Sequence, residues 1–91
     1  MEKKHFTEEQ TKEVGEKLGI EWDKFDVEQF KHGMDVELEH GTTDSNTNVS
    51  NDDPLITGKI ALAHLNEFPD YYDRLDGMEE EAEKFWKNKQ P

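Results

Sequence analysis

The feature of this sequence that most constrains its fold is a series of helix-start and helix-stop signals. In the stretch "FTEEQ", Thr7 is a favourable N-cap, Gln10 can bond back to it in a capping box, and Phe6 occupies the staple position outside the helix. This helix is predicted to end at Gly19, because glycine adopts the left-handed conformation of a C-terminal cap without strain. Local chemistry therefore predicts the first helix and both of its ends.

Two more helix starts follow. The stretch "FDVEQF" repeats the pattern, with Asp26 as the cap, Gln29 closing the box and a phenylalanine on each side at staple spacing. This second helix is predicted to stop at Gly41. A polar loop, "GTTDSNTNVSNDDP", then ends in Asp53 as a cap and Pro54 at the first helical position. No segment alternates apolar and polar residues as a half-buried strand does, so the fold is predicted to be all-α.

These signals predict one helical domain, residues 1–91, that folds as a compact bundle of four helices. The predicted helices are residues 7–18, 27–40, 54–67 and 69–88, with a polar loop at 41–53. The first helix is expected to be peripheral, since its apolar positions reduce largely to Val14 and Leu18. Trp22 and Phe25, in the linker that follows, are expected to anchor that end of the bundle.

Helical periodicity predicts which face of the third helix is buried. At 100° per residue, Ile56, Ile60 and Ala63 share one arc that ends in Glu67, and His64 lies beside it. A carboxylate at the end of an apolar stripe requires a partner, because an unpaired charge away from water is costly.

The last helix carries its apolar residues on one stripe, and a glutamate-rich outer face surrounds it. The members of the stripe are Tyr71, Leu75, Met78, Ala82 and Phe85. The aromatic side chains expected in the core are Phe30, Phe85 and Trp86.

The composition limits the range of functions. Charged residues make up 37% of the 91 residues and hydrophobic residues only 31%, and the formal net charge is −12. A surface this negative repels nucleic acids and anionic lipids, so we expect no direct nucleic-acid binding and no membrane association, whereas a basic protein or a cation is a suitable partner. The chain has no cysteine, and no apolar run follows its basic N-terminal residues, which predicts a cytoplasmic protein without disulfides. We expect a monomer or a weak dimer.

Two short stretches, "ELEHG" and "AHLNEFPDYY", each place a histidine three residues from a glutamate. Residues three apart on a helix lie on neighbouring parts of one face, so each stretch can present a carboxylate and an imidazole together. Two such pairs on facing helices would form a four-ligand set of the kind that binds zinc, iron or manganese in helical bundles. The candidate metal ligands are Glu37, His40, His64 and Glu67. No catalytic residue is indicated.

The same four residues have an explanation without a metal. His40 comes directly before Gly41, and a histidine at the C-terminus of a helix interacts favourably with the helix dipole. Glu37 can be an ordinary residue at the rim of the core, His64 a buried histidine bonded to a backbone carbonyl, and Glu67 a local cap. Glu-x-x-His spacing is a weak pattern that recurs by chance, so both interpretations stay open.

The polar loop also contains part of a calcium-binding pattern. From Asp44 it shows the Asp-x-Asn-x-Asn alternation of such loops. Its sixth position is Val49 where a calcium loop requires glycine, and its twelfth is Leu55 where it requires glutamate. We therefore expect a turn-rich loop rather than a calcium site.

The runs "LGIEWDKFDVEQFKHGMDVELEHG" and "NDDPLITGKIALAHLNEFPDYYDRL" together resemble an uncharacterised family of small acidic proteins found in bacteria and their phages, classed as a domain of unknown function. The resemblance covers most of the chain, from "FTEEQ" to the last helix. It implies a compact helical domain and no particular activity. The residues in its two most specific phrases, "ELEHG" and "KIALAHLNEFPDYY", include Glu37, His40, His64, Glu67, Pro69, Asp70 and Tyr71.

Two functions of different classes are consistent with these observations. The first, favoured here, is a non-enzymatic binding or accessory module whose acidic surface docks on a basic surface of a protein partner. The second is a carboxylate–histidine metal-binding protein, in which a divalent metal forms a structural site or the centre of a small metalloenzyme. The first interpretation depends on the net charge, and the second on whether the ends of the second and third helices meet.

Overall fold

The computed structural model describes residues 5–89, and within this range it contains four α-helices and no strand. The helices are α1 (Glu8–Leu18), α2 (Val27–Glu37), α3 (Pro54–Glu67) and α4 (Tyr71–Lys89), and a 3₁₀ turn, Leu38–His40, continues α2. They pack against one another as the predicted all-α bundle. The outer ends of the predicted domain, residues 1–4 and 90–91, lie outside the described residues. Each described helix is too short or too polar to span a lipid bilayer.

The predicted caps are present at the starts of three helices. At α1, the Thr7 hydroxyl accepts a hydrogen bond from the Gln10 backbone N–H at 3.0 Å, and the Gln10 side chain accepts one from the Thr7 N–H at 2.9 Å. Asp26 caps α2 and Asp53 caps α3 through their carboxylates. The C-terminal cap of α1 is Gly19, with a left-handed φ of 73°. Local sequence therefore determines these helix ends.

The second predicted capping box does not close. The Gln29 backbone N–H does donate to the Asp26 carboxylate, at 2.8 Å. The Gln29 side chain, however, extends away from the cap, and its Nε2 donates to Asp73 of α4 at 3.0 Å. A contact between α2 and α4 has replaced the local bond that the sequence pattern predicts.

The core is centred on α2, which contacts every other helix. Phe30 and Met34 of α2 have no exposed surface, and Leu38 in the 3₁₀ turn extends the same stripe. Each buried side chain of this size contributes about 1.5–3 kcal/mol to stability. The core cluster consists of Phe6, Val14, Phe25, Phe30, Met34, Leu38, Ala61, Leu65 and Tyr72.

Helix α1 is held more closely than its few apolar residues predict. The backbone N–H of Phe6, just before the helix, donates to the Asp35 carboxylate of α2 at 2.7 Å, and the Phe6 ring is buried. Val14 packs on Gly58 of α3 so closely that a methyl group at Gly58 would overlap it. Helix α1 thus packs on both α2 and α3.

Trp22 anchors this end of the bundle, as the sequence predicts. Its ring lies against Gly15 of α1 and meets Phe25 and Phe30 edge-on, with ring centroids 6.2 and 5.7 Å apart. The backbone of Trp22 is left-handed, with a φ of 58°, which is unusual for a bulky residue. The aromatic packing stabilises that strained conformation.

The buried face of α3 is rotated from the predicted one. Its buried residues are Thr57, Gly58, Ala61 and Leu65. Of the predicted arc, Ile60 is half-buried, but Ile56 is 44% exposed and Ala63 and Glu67 are also exposed, so the buried face was predicted wrongly. Small side chains face the core because α1 approaches α3 closely there. The buried Thr57 hydroxyl is satisfied locally, since it donates to the backbone carbonyl of Asp53, the N-cap of α3. This rotation places His64 partly inside and Glu67 outside.

Helix α4 packs on the bundle only through its first turns. Tyr72 is fully buried and Leu75 is half-buried, but every described side chain of residues 76–88 is exposed. Phe85 and Trp86 were predicted to be in the core, yet they are 52% and 65% exposed. The physical reason is length, since 19 residues of helix extend about 28 Å, well past the ends of the shorter helices. The molecule is correspondingly elongated, 49 × 27 × 20 Å.

Gly33 allows α4 to dock on α2. A methyl group at Gly33 would overlap the ring of Tyr72, whereas one at Gly77, on the exposed part of α4, would have no neighbour within 4 Å. We expect Gly33→Ala to lower the free energy of unfolding by about 1–3 kcal/mol, because the added methyl must displace Tyr72. The matched Gly77→Ala should raise it by about 0.5–1 kcal/mol, since alanine favours the helix. Urea unfolding followed by circular dichroism measures both, and equal effects would contradict this packing.

Candidate functional site

A buried carboxylate lies at the centre of the predicted site. Glu37, the last residue of α2, is only 4% exposed, so it is not the rim residue of the metal-free interpretation. The hydroxyl of Tyr72, at the start of α4, donates a hydrogen bond to Glu37 Oε2 at 2.7 Å. Both partners are buried, and a hydrogen bond to a charged acceptor away from water is among the stronger kinds. This bond satisfies one of the two carboxylate oxygens.

The 3₁₀ turn after α2 brings His40 next to Glu37. Side chains three residues apart are eclipsed in a 3₁₀ turn, whereas in an α-helix His40 would lie farther round. The His40 Nε2 is 3.9 Å from Glu37 Oε1. The returning polar loop secures the turn, because the Val49 N–H donates to the His40 carbonyl at 2.7 Å. Sequence spacing identified this pair, and the local geometry explains it.

His64 of α3 approaches the other oxygen of the same carboxylate. Its Nε2 is 3.8 Å from Glu37 Oε2. The imidazole is stacked on the ring of Tyr71, with centroids 4.4 Å apart and an interplanar angle of 12°. Its Nδ1 is buried and has no hydrogen-bond partner among the described residues. His64 is therefore oriented by stacking, not by the backbone carbonyl that the metal-free interpretation expected.

Glu37, His40 and His64 form a cluster whose ligand atoms lie slightly too far apart to coordinate one metal ion. Two donors on a tetrahedral zinc ion lie about 3.3 Å apart, for bonds of about 2.0 Å. The two imidazole nitrogens are 3.8 and 3.9 Å from the oxygens of Glu37, and each approaches a different oxygen. No choice of one ligand atom from each of Glu37, His40 and His64 gives three atoms that all lie within 4.8 Å of one another. At these distances neither imidazole is hydrogen-bonded to Glu37, and the cluster can hold a metal ion only after the imidazoles move inward.

The fourth predicted ligand lies elsewhere. Glu67 is exposed at the end of α3 and makes no contact with Glu37 among the described residues. Asp70, which the sequence also singled out, accepts a hydrogen bond from Arg74 Nε at 2.9 Å, and this bond lowers the pKa of the exposed Asp70 carboxyl. The structure thus brings together three of the four predicted residues.

The sequence patterns gave no role in the site to Tyr72, whose hydroxyl donates to Glu37 at 2.7 Å. Burial, together with the hydrogen bond to Glu37, raises the pKa of the Tyr72 phenol well above its usual range. The sequence did contain a signal for this residue. Tyr72 ends the stretch "AHLNEFPDYY", which also contains His64 and Glu67, and a buried tyrosine needs a hydrogen-bond partner for its hydroxyl.

Tyr72→Phe tests the buried hydrogen bond. The variant keeps the ring and removes the donor, so Glu37 is left buried without its closest partner and the free energy of unfolding should fall by about 1–3 kcal/mol. Tyr71→Phe is the matched control, because the Tyr71 hydroxyl makes no hydrogen bond in the described part of the chain, and it should change stability by less than about 0.5 kcal/mol. Chemical unfolding at neutral pH measures both variants.

The pH dependence of that difference has a definite sign. A tyrosine in the unfolded chain loses its proton near about pH 10, whereas the native protein keeps the Tyr72 proton, so the native state binds more protons above that pH. Stability from this group is therefore present below about pH 10 and is lost as the pH rises further. The gap between wild type and Tyr72→Phe should be nearly the same at about pH 8 and about pH 9, and it should shrink as the pH rises beyond about 10. A gap that stays constant would contradict a protonated, buried phenol.

Comparison with known proteins gives the family of this chain. No curated protein and no solved structure matches it. The model of one family, described as "Protein of unknown function (DUF5661)", matches residues 11–81. That range extends from α1 into α4 and includes Glu37, His40, His64 and Tyr72. The resemblance to a domain of unknown function is confirmed, and the chain belongs to the DUF5661 family.

Proposed function

We propose that this protein is a small, non-enzymatic binding module that docks on a basic surface of a protein partner through the exposed half of α4. The observation that carries the proposal is an apolar surface on this half, here called the α4 stripe, which consists of Met78, Ala82, Phe85 and Trp86. Its three large side chains are 60%, 52% and 65% exposed. Contiguous exposed apolar surface of this kind marks interaction sites.

The α4 stripe has the form of a recognition helix. Met78, Ala82 and Phe85 follow the spacing at which one face of a helix enters an apolar groove. Phe85 and Trp86 contact each other edge-to-face, with ring centroids 5.1 Å apart, so the two rings form one continuous apolar surface. Aromatic side chains of this type contribute most to binding energy at protein interfaces.

A bound partner would also stabilise the exposed half of α4. Isolated helices of about 12–15 residues are only marginally stable in water, and the described side chains of residues 76–88 are all exposed. A helix that remained solvated in function would not need an aromatic stripe. A partner groove that covers the stripe would stabilise the helix and bury its apolar side chains together.

Charge indicates the chemistry of the partner. At 100° per residue, Glu79 and Glu83 border the stripe on the side of Trp86, and Glu81 borders it on the side of Phe85. A groove with an apolar floor and a rim of lysine or arginine complements this pattern, and the net charge of −12 would accelerate the approach of such a partner. A second acidic copy of the chain and a nucleic acid both bring negative charge to the same surface, which disfavours them.

A defined basic peptide tests this surface. The probe is a fluorescent synthetic helix with a leucine face and a lysine rim, and its anisotropy reports binding. We expect Phe85→Ala/Trp86→Ala to weaken binding at least about tenfold, because the apolar anchors are lost while the charge is unchanged. Binding by the wild-type protein should also weaken between about 50 and about 300 mM NaCl, since salt screens the glutamate border.

The control is Phe68→Ala, which removes an aromatic side chain that is 49% exposed but lies outside the stripe. This variant should bind the peptide as the wild type does. Equal affinity of the double variant and the wild type would contradict docking through the stripe. Analytical ultracentrifugation tests the competing occupant, since a wild-type dimer that the double variant abolishes would assign the stripe to a second copy of the chain.

Metal binding is a second candidate function, and the convergence of two imidazoles on one carboxylate supports it. Here the proposed ligands of zinc, iron or manganese are Glu37, His40 and His64, without Glu67. Tyr72 would orient the carboxylate from behind, as hydrogen-bonded neighbours of metal ligands do. Each imidazole would need to move inward by about 0.5 Å relative to Glu37 to reach ligand spacing, and the two would also need to approach each other.

Elemental analysis of protein purified without chelators tests this candidate. We expect at least one equivalent of metal, and a lower melting temperature in EDTA, because a ligand that binds the native state stabilises it. His64→Ala should bind one equivalent of metal less than the wild type, whereas His5→Ala, which alters an exposed histidine elsewhere, should bind as much as the wild type. Metal-free protein whose melting does not respond to EDTA would end this proposal.

A further inference from the structure

A second group of ligand-type side chains lies where α4 meets α2. The His32 imidazole Nε2 is 2.9 Å from Asp76 Oδ2, which joins α2 to α4. Asp73 is one turn earlier on α4, and one ligand atom from each of the three residues lies within 4.8 Å of the other two. Two helices therefore direct an imidazole and two carboxylates toward one point. Sequence spacing does not reveal this group, because the acidic partners of His32 are 41 and 44 residues away in the chain.

Gln29, one turn before His32, is the fourth member of this group. Its Nε2 is 3.0 Å from Asp73 Oδ2, and its Oε1 is buried without a hydrogen-bond partner among the described residues. Rotation of the amide by half a turn exchanges the positions of these two atoms. The oxygen would then face the Asp73 carboxylate, which is unfavourable unless a cation lies between them. In that orientation the amide oxygen, which has no hydrogen-bond partner in the present one, would be a ligand of the cation, at the cost of the hydrogen bond from Nε2 to Asp73.

The distances in the group match those between neighbouring ligands of a six-coordinate metal ion. Bonds of about 2.1 Å at right angles place two donor atoms about 3.0 Å apart. The separations here are 2.9 Å between His32 Nε2 and Asp76 Oδ2, and 3.0 Å between Asp73 Oδ2 and the Gln29 amide nitrogen, whose position the oxygen takes when the amide rotates. An imidazole ligand favours zinc, nickel, cobalt or iron over magnesium and calcium.

We propose that Gln29, His32, Asp73 and Asp76 form a binding site for a divalent first-row transition metal, with water in the remaining positions. The ion would connect α2 to α4 at the boundary where the packed part of α4 ends and its exposed half begins. It would therefore limit the directions in which the α4 stripe projects from the bundle. This site shares no residue with the Glu37 cluster or with the stripe.

Calorimetric titration with Zn²⁺ tests the site in a His40→Asn/His64→Asn protein, which lacks the imidazoles of the Glu37 cluster. We expect one equivalent to bind. His32→Ala and Asp76→Asn should each weaken binding at least about tenfold, as loss of a metal ligand does. Gln29→Glu should tighten it, because a carboxylate replaces an amide as the fourth ligand. Without a metal, the same change would only add a repelling charge beside Asp73.

His5→Ala is the matched control, since the imidazole of His5 also pairs with an aspartate, Asp35, at 3.3 Å. It should leave Zn²⁺ binding unchanged. His32→Ala protein that binds Zn²⁺ as tightly as His5→Ala protein would overturn the site. Gln29→Glu protein with unaltered affinity would overturn the role of Gln29. Circular dichroism of each variant confirms that it is folded, and neither result depends on whether a partner docks on α4.

Discussion

The hydrogen bond between Tyr72 and Glu37 is the interaction on which the rest of this structure depends. It places a carboxylate and a phenol inside a core built from few large apolar side chains, where an unsatisfied charge would be costly. The start of α4 therefore has one favourable position against the end of α2. Gly33 provides the space for the Tyr72 ring, and His64 completes the surroundings of the carboxylate.

This bond also fixes which part of α4 packs on the bundle and which part remains exposed. Helix α4 is fixed to the bundle through Tyr72 and Leu75, and from residue 76 onward it leaves the core. A domain of 91 residues has too little core to cover a helix of 19 residues along its whole length. The packed half supplies stability, and the exposed half offers an apolar stripe with a glutamate border. The proposed metal group of His32, Asp73 and Asp76 lies at the boundary between the two halves.

Sequence patterns predicted the helices well because their signals are local. Thr7, Asp26 and Asp53 cap their helices through bonds to atoms two or three residues away, which no distant packing has to arrange. The pattern failed at Gln29, where a longer contact to α4 competes with the local box and replaces it. The pattern also failed on α3. Hydrophobicity alone predicted that its isoleucines would be buried, but the close approach of α1 requires small residues on the buried face.

The candidate site was predicted in part for the same reason. Glu37 and His40 are neighbours in sequence, and the 3₁₀ turn aligns them, so spacing was sufficient to pair them. His64 lies near this pair, whereas Glu67 had been included because the face of α3 was assigned with the wrong rotation. Tyr72 was missed because only the docking of α4 shows which of two adjacent tyrosines turns inward.

The sequence by itself determined that this chain forms four helices, three of them with capped starts, that its composition is strongly acidic, and that a carboxylate and histidines occur where two helices end. These properties depend on composition and on interactions across a few residues. The tertiary structure alone decided which face of α3 is buried, which residue satisfies Glu37, and that Phe85 and Trp86 lie outside the core. Each of these depends on how far one helix extends along another, and that distance is set by packing between residues that are remote in the chain.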